Sequence, residues 1–238
     1  MQRFGCLLAL WVGMASSGAH AQTVVAPLSI ARTVDVGGAA GGLDVDPATG
    51  DVYIITDNGS DITRVGTDNS VTRIVNNGGA WRDNTSDLRI SDDGIIHVLT
   101  TIGAMAGTVH RFQLDGTALE PLAMISDPGG LLFSGEGGAL DFDCVGNVVT
   151  GDADVELFRV SPAGTVASHS TGWSDVDELV RGFNNELFAL DPASLLEGGG
   201  DDKVFRIVDG GAISVFARTL DTPLGGLAVD RGTRQVFV

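Results

Sequence analysis

The chain has 238 residues and a formal net charge of −17, with 31 acidic side chains against 14 basic ones. A surface that negative repels phosphate backbones and anionic lipid headgroups, which argues against nucleic acid as a partner. The length suffices for a sizeable core in one all-β domain, and with only two cysteines, the first of them in the leader, the fold rests on that core without an internal disulfide.

Met1-Gln2-Arg3 places one positive charge ahead of an apolar run from Phe4 to Met14, and Ala19-His20-Ala21 follows with small residues at both cleavage positions. This pattern predicts a secretory signal peptide over 1–21, cut before Gln22, and a secreted or periplasmic mature protein. The run is short for a bilayer-spanning helix, and no later segment is apolar enough for one, so no membrane span is expected in the visible chain. Residues 22–238 form the remaining domain.

Leu28-Ser29-Ile30-Ala31-Arg32-Thr33 opens that domain and resembles Ile213-Ser214-Val215-Phe216-Ala217-Arg218-Thr219 near its far end. A first unit follows: Gly42 to Asp46, a turn at Pro47-Ala48-Thr49-Gly50, then Val52 to Thr56, Ile62 to Val65 and Val71 to Val75. A second unit runs through Asp87 to Ile90, a turn at Asp92-Asp93-Gly94, then Ile95 to Leu99, Val109 to Phe112 and Leu122 to Ile125. The third has Gly138 to Asp143, a turn at Cys144 to Asn147, then Val148 to Thr150, Leu157 to Val160 and Val166 to His169. In the fourth, the recognisable strands are Glu186 to Leu190, Val204 to Ile207 and Ile213 to Ala217. A fifth unit starts with Gly226 to Asp230, turns at Arg231-Gly232-Thr233 and reaches Gln235 to Val238.

One strand per unit carries an arginine in an apolar frame. Arg64, Arg111, Arg159 and Arg206 stand 47 or 48 residues apart. Short β-branched and aromatic segments between Gly and Asp turns, with almost no helical periodicity, predict an all-β fold. Four strands in a repeat of that length describe a blade of a β-propeller, which needs neighbouring blades to cover its two faces. The expectation is a β-propeller of four-stranded blades with about 4.5 of them present, a fragment of a six-bladed ring, with five or seven blades as alternatives. The repeated arginines are expected to tie blade to blade by pairing with Asp. His110 takes the slot of Phe158 and Phe205, which predicts a packing role, His97 reads as a satisfied core histidine, and Cys144 as a small buried hydrophobe.

Leu140-Asp141-Phe142-Asp143, Gly146-Asn147-Val148-Val149, Asp152 and Leu157-Phe158-Arg159-Val160 resemble the blades of NHL and SMP-30/gluconolactonase-like propellers. The likeness covers nearly all of residues 22–238 as a repeat motif, and it implies fold better than activity, because such propellers include lactonases, lyases and pure binding modules. It implies two functions: an exported binding or interaction module, or a divalent-metal-dependent hydrolase or lactonase. It also implies a divalent cation, calcium or magnesium, held by Glu, Asn and Asp at one end of the channel.

The loops of that face supply hard oxygen ligands suited to such an ion. Glu136 sits between glycines just before an inner strand, at a position resembling the family's metal-binding Glu, and Asn84 and Asp152 complete the candidate ligand set. Trp81, Arg82, Asp87 and Asp57 are candidates for binding substrate. The acids of Ser174-Asp175-Val176-Asp177-Glu178 belong to the same loop face, and the glycine-rich 198–202 is expected to be a flexible loop. The expected partner is a small-molecule, glycan or protein ligand at the propeller face.

Overall fold

The computed structural model describes residues 33–37, 40–76, 85–101, 106–125, 138–151, 155–173, 176–191, 203–208, 211–218 and 226–237. The leader over 1–21, the expected opening strand over 28–32 and the loop over 198–202 lie outside the described residues.

Four antiparallel four-stranded sheets follow one another along the chain, each a simple meander. Blade 1 is β1 (Ala40–Val45), β2 (Val52–Thr56), β3 (Asp61–Val65) and β4 (Val71–Asn76). Blade 2 is β5 (Thr85–Ile90), β6 (Ile95–Thr100), β7 (Thr108–Gln113) and β8 (Ala118–Met124). Blade 3 is β9 (Ala139–Phe142), β10 (Val148–Gly151), β11 (Val155–Val160) and β12 (Val166–Trp173). Blade 4 is β13 (Glu178–Arg181), β14 (Leu187–Asp191), β15 (Lys203–Ile207) and β16 (Ile213–Arg218), and β17 (Ala228–Asp230) pairs with β18 (Gln235–Phe237). The first strands stand side by side, β1 on β5, β5 on β9, β9 on β13 and β13 on β17, and so line a common channel. The all-β propeller expected from the repeat is therefore present. Among the described residues no helix is long and apolar enough to cross a membrane.

The core lies between the blades. Tyr53, Ile55 and Ile62 of blade 1 pack on Leu88, Ile96 and Phe112 of blade 2. Leu99 and Val109 meet Phe142 and Val148 of the next blade. Val149 and Leu157 meet Leu179 and Leu187, and Phe188 and Leu190 meet Leu227. Each sheet thus has two apolar faces and satisfies them only against its neighbours.

Close approach is set by one turn. Gly116, Gly164 and Gly211 each end a tight turn between the third and fourth strands, at φ 90°, 82° and 80°. A Cβ on them would lie 2.1, 2.5 and 2.0 Å from the carbonyl oxygens of Ile74, Leu122 and His169, each in or beside the fourth strand of the preceding blade. The matching position in blade 1 is Asn69 at φ 68°, where a left-handed backbone alone is required and Asn tolerates it.

The structure corrects three readings of the sequence. The arginine strands hold their own blades, not adjacent ones: Arg64 Nε donates to Asp51 at 2.7 Å, Arg159 pairs with Asp143 at 3.1 Å, and Arg206 pairs with Glu186. Glu178, read as a loop acid, is the first residue of β13, a strand hidden because Gly182-Phe183-Asn184-Asn185 replaces the aspartate turn of blades 1 and 3. Cys144 is half-buried in a turn, outside the strands.

Gly116→Ala is expected to lower stability by roughly 2–4 kcal/mol, since it adds a carbonyl clash to left-handed strain. Asn69→Ala, which adds no atom at the Cβ position, should cost less, about 1–2 kcal/mol. Urea unfolding of the two variants measures the difference, and equal losses would show that the blades do not meet at these turns.

Candidate functional site

The channel wall is built from the first strands, and its chemistry depends on which residue each presents at two neighbouring levels. At one level stand Asp44, Arg89, Asp141 and Val180, each directly opposite Tyr53, His97, Val149 and Phe188 on the second strands. Two residues earlier stand Gly42, Asp87, Ala139 and Glu178.

The carboxylates join the blades. Asp44 Oδ2 accepts from the Ile90 backbone N–H of blade 2 at 2.8 Å. Asp141 Oδ2 accepts from Arg181 N–H of blade 4 at 2.5 Å. Blade 2 has Arg89 at that slot, and the bond moves two residues up its strand, where Asp87 Oδ2 accepts from Leu140 N–H of blade 3 at 3.0 Å. The Asp44, Asp87 and Asp141 Oδ1 atoms accept from the next N–H of their own strands. Gly42 gives Asp87 its room, because a Cβ there would lie 2.8 Å from the Asp87 Cα and 2.9 Å from its Oδ1.

Arg89 fills the middle of this acidic ring. Its Nη1 lies 2.6 Å from Asp87 Oδ1 and its Nη2 lies 2.8 Å from Glu178 Oε1, so one guanidinium bridges blade 2 to blade 4. It also donates to the Leu179 carbonyl at 3.2 Å. A second pair of reversed polarity makes the same crossing, Asp92 of blade 2 to Arg181 of blade 4 at 3.2 Å. Around these braces lies a cavity of about 760 Å³, lined also by Asp44, Asp141, Asp177 and Arg231.

Burial sets the protonation of the ring. It pushes the Asp87 carboxyl up to about 7, with Glu178 adding to the rise, although Arg89 and two backbone amides pull the other way. Burial likewise raises Asp44, Asp141 and Glu178, against the opposing pull of Arg89. The Arg89 guanidinium, held among Asp87, Asp141 and Glu178, stays charged. His97 is the core histidine expected: its ring meets Phe142 edge-on at 5.0 Å, its Nδ1 lies 3.1 Å from the Ile95 carbonyl, and burial lowers its pKa to about 4. His110 is half-buried in its strand, and burial lowers its pKa too.

Of the candidate site residues, Asp87 lies in the channel ring. Asp57 lies apart, exposed in the β2–β3 turn at φ 54°, with Ser60 donating to its carbonyl at 2.8 Å. Trp81, Arg82, Asn84, Glu136 and Asp152 lie outside the described residues, as do Ser174 and Asp175. Among the described residues no group of three or more His, Cys, Asp or Glu side chains is placed to hold a metal ion. The ring carboxylates fit a cation poorly, since backbone amides bind Asp44, Asp87 and Asp141, and the Arg89 guanidinium already occupies Asp87 and Glu178. Arg89 was not singled out in the sequence, yet it had a signal: an arginine in the slot where blades 1 and 3 carry Asp44 and Asp141.

No protein-family model matches the chain, and no curated protein sequence matches it. Solved structures do. A putative gluconolactonase matches at 14% identity and TM-score 0.64 over 86% of this chain and 73% of its own. The calcium-binding protein regucalcin from Agrobacterium tumefaciens matches at 12% identity and TM-score 0.57 over 81% of this chain and 64% of its own. These likenesses show the fold of a β-propeller. Virginiamycin B lyase from Staphylococcus aureus shares it at 17% identity and TM-score 0.55 over 74% of this chain. The chain spans 55%, 61% and 60% of the length of three such lyase structures.

The Asp87 carboxyl makes stability depend on pH. Between about pH 4 and 7 the unfolded chain has released a proton that native Asp87 still holds, so this residue's contribution falls as pH rises through that window. His97 acts oppositely over about 4 to 6.5, because the unfolded chain takes up a proton that the native ring refuses. The Tm of the protein minus that of Asp87→Asn is therefore expected to drop by several degrees from pH 5 to pH 7.5. A difference independent of pH would show that Asp87 is ionised throughout.

Proposed function

We propose that this chain is an exported β-propeller that works as a binding module, holding a small polar ligand such as a glycan unit at its channel. The observation that carries this reading is the cavity of about 760 Å³ whose polar lining is fixed in advance by the scaffold. That volume falls in the range of small-molecule sites. Asp44, Asp87 and Asp141 are bonded to backbone amides and Arg89 to two carboxylates, so they offer a rigid pattern of donors and acceptors. Such preorganisation favours recognition, because little side-chain entropy is lost when the ligand arrives. Export rests on the basic start, apolar run and Ala19-His20-Ala21 of the leader.

The second reading is a divalent-metal-dependent hydrolase or lactonase, with Glu136, Asn84 and Asp152 as calcium or magnesium ligands. The shared fold of the gluconolactonase and the calcium-binding regucalcin supports it.

Two measurements on the full chain separate these readings: calorimetric titration with calcium and magnesium chloride, and hydrolysis of a simple sugar δ-lactone. A binding module shows no turnover above the uncatalysed rate, and it retains glycans from a panel at least tenfold less well after Arg231→Ala. Tight uptake of a divalent ion, lost together with lactone hydrolysis in Glu136→Ala, would establish the hydrolase instead.

A further inference from the structure

Blade 2 departs from its sisters at a second place. Two residues before the one opposite each arginine stand Asp51 in blade 1 and Glu186 in blade 4, each binding that arginine, while blade 3 has Asn147 there and its Arg159 pairs with Asp143. In blade 2 that position is Ile95, half-buried at the start of β6. Arg111 therefore has no acid at the position where Arg64 and Arg206 find theirs, and its Nε donates instead to the Glu120 backbone carbonyl at 2.9 Å.

The guanidinium that this change releases borders a cavity. Arg111 lies directly across from His97 and on the same face, towards blade 3. Between the blades is a space of about 280 Å³, lined by Arg111, Arg181, His97, Ile95 and Phe142 and also by Asp92 and Asp93. Because the Ile95 carbonyl only accepts, His97 Nδ1 carries the ring proton, and the ring lies there neutral. Asp92 and Asp93 are both exposed and already engaged, Asp92 by Arg181 and Asp93 by the Ser91 hydroxyl. Exposed carboxylates are screened, so they oppose an anion here only weakly.

We propose that this cavity between blades 2 and 3 is a binding site for a small oxyanion, a carboxylate or a phosphate, gripped by Arg111 with Arg181 on its rim. The volume is too small for a drug-sized molecule but takes an anion of a few heavy atoms with its waters. The planar fork of a guanidinium matches two oxygens of such a group, while His97, Phe142 and Ile95 provide the drier wall that strengthens the contact. The cavity shares Asp92, Phe142 and Arg181 with the lining of the channel cavity, but the proposal does not rest on the reading of that cavity.

Titration of the full chain with sodium phosphate and with sodium acetate, followed by NMR shifts or calorimetry in low-chloride buffer, tests this. One saturable site is expected for at least one anion, and the tighter of the two identifies the class. Arg111→Gln should weaken it at least tenfold. Ile95→Asp should do the same by restoring the acid that occupies the arginine in blades 1 and 4, with Arg111 itself left in place. Arg64→Gln, whose arginine is already paired with Asp51, should leave binding unchanged. Absence of saturable binding, or affinity unchanged from that of the parent protein in folded Arg111→Gln and Ile95→Asp, would overturn the proposal.

Discussion

A carboxylate that accepts a backbone N–H from the next blade is the contact on which the ring depends. Apolar packing between sheets is strong but tolerant of sliding, since a β-sheet face offers similar ridges every two residues. Asp44 to Ile90, Asp87 to Leu140 and Asp141 to Arg181 remove that freedom by fixing the register of each first strand against the one before. The turn glycines act at the other edge, where Gly116, Gly164 and Gly211 sit under the fourth strand of the preceding blade. Each blade is thus pinned at its inner and outer margins, with the apolar core between.

The pins also create the channel chemistry. Burying a carboxylate is costly unless it is bonded, and these are bonded to amides that need a partner themselves. Four acids around one axis nonetheless repel each other, which raises the question of what allows them to stay. Arg89 answers it in part. It bridges Asp87 and Glu178, and it sits within the field of Asp44 and Asp141. Buried ion pairs of this kind add little net stability compared with apolar packing, but losing one partner leaves an uncompensated charge. Their effect is to favour one arrangement of blades 2 and 4 across the axis.

The fold was largely legible because a propeller repeats its unit, and a repeat carries its own internal control. Four arginine strands at even spacing located β3, β7, β11 and β15 before any geometry was known. What the pattern hid follows physical lines. The strand β13 lacks the aspartate turn that marks β1 and β9, and so its Glu178 looked like part of a loop. The partner of each arginine is hidden because the repeat places acids both within the blade and in the blades beside it, and spacing alone does not choose between them. Asp51 and Arg64 meet through a strand pairing that only the register reveals. Of the site, Asp87 was legible as an acid entering an inner strand. Its bonding to Leu140 was not, because it arises from a two-residue shift that no local signal announces.

The departures from the repeat therefore say more about function than the repeat does. They are concentrated in blade 2. Arg89 stands where Asp44 and Asp141 stand elsewhere, Ile95 where Asp51 and Glu186 stand, and His97 where Tyr53, Val149 and Phe188 stand. Arg89, His97 and Arg111 lie in one cross-strand row on the side of the sheet that faces blade 3. The row sets three nitrogenous side chains side by side within a chain of net charge −17. At the inner end the row required a compensating shift at Asp87 and a glycine at Gly42 to accommodate it. Local rules broken together, with the scaffold adjusted around them, are the pattern expected of a site and not of drift in a core.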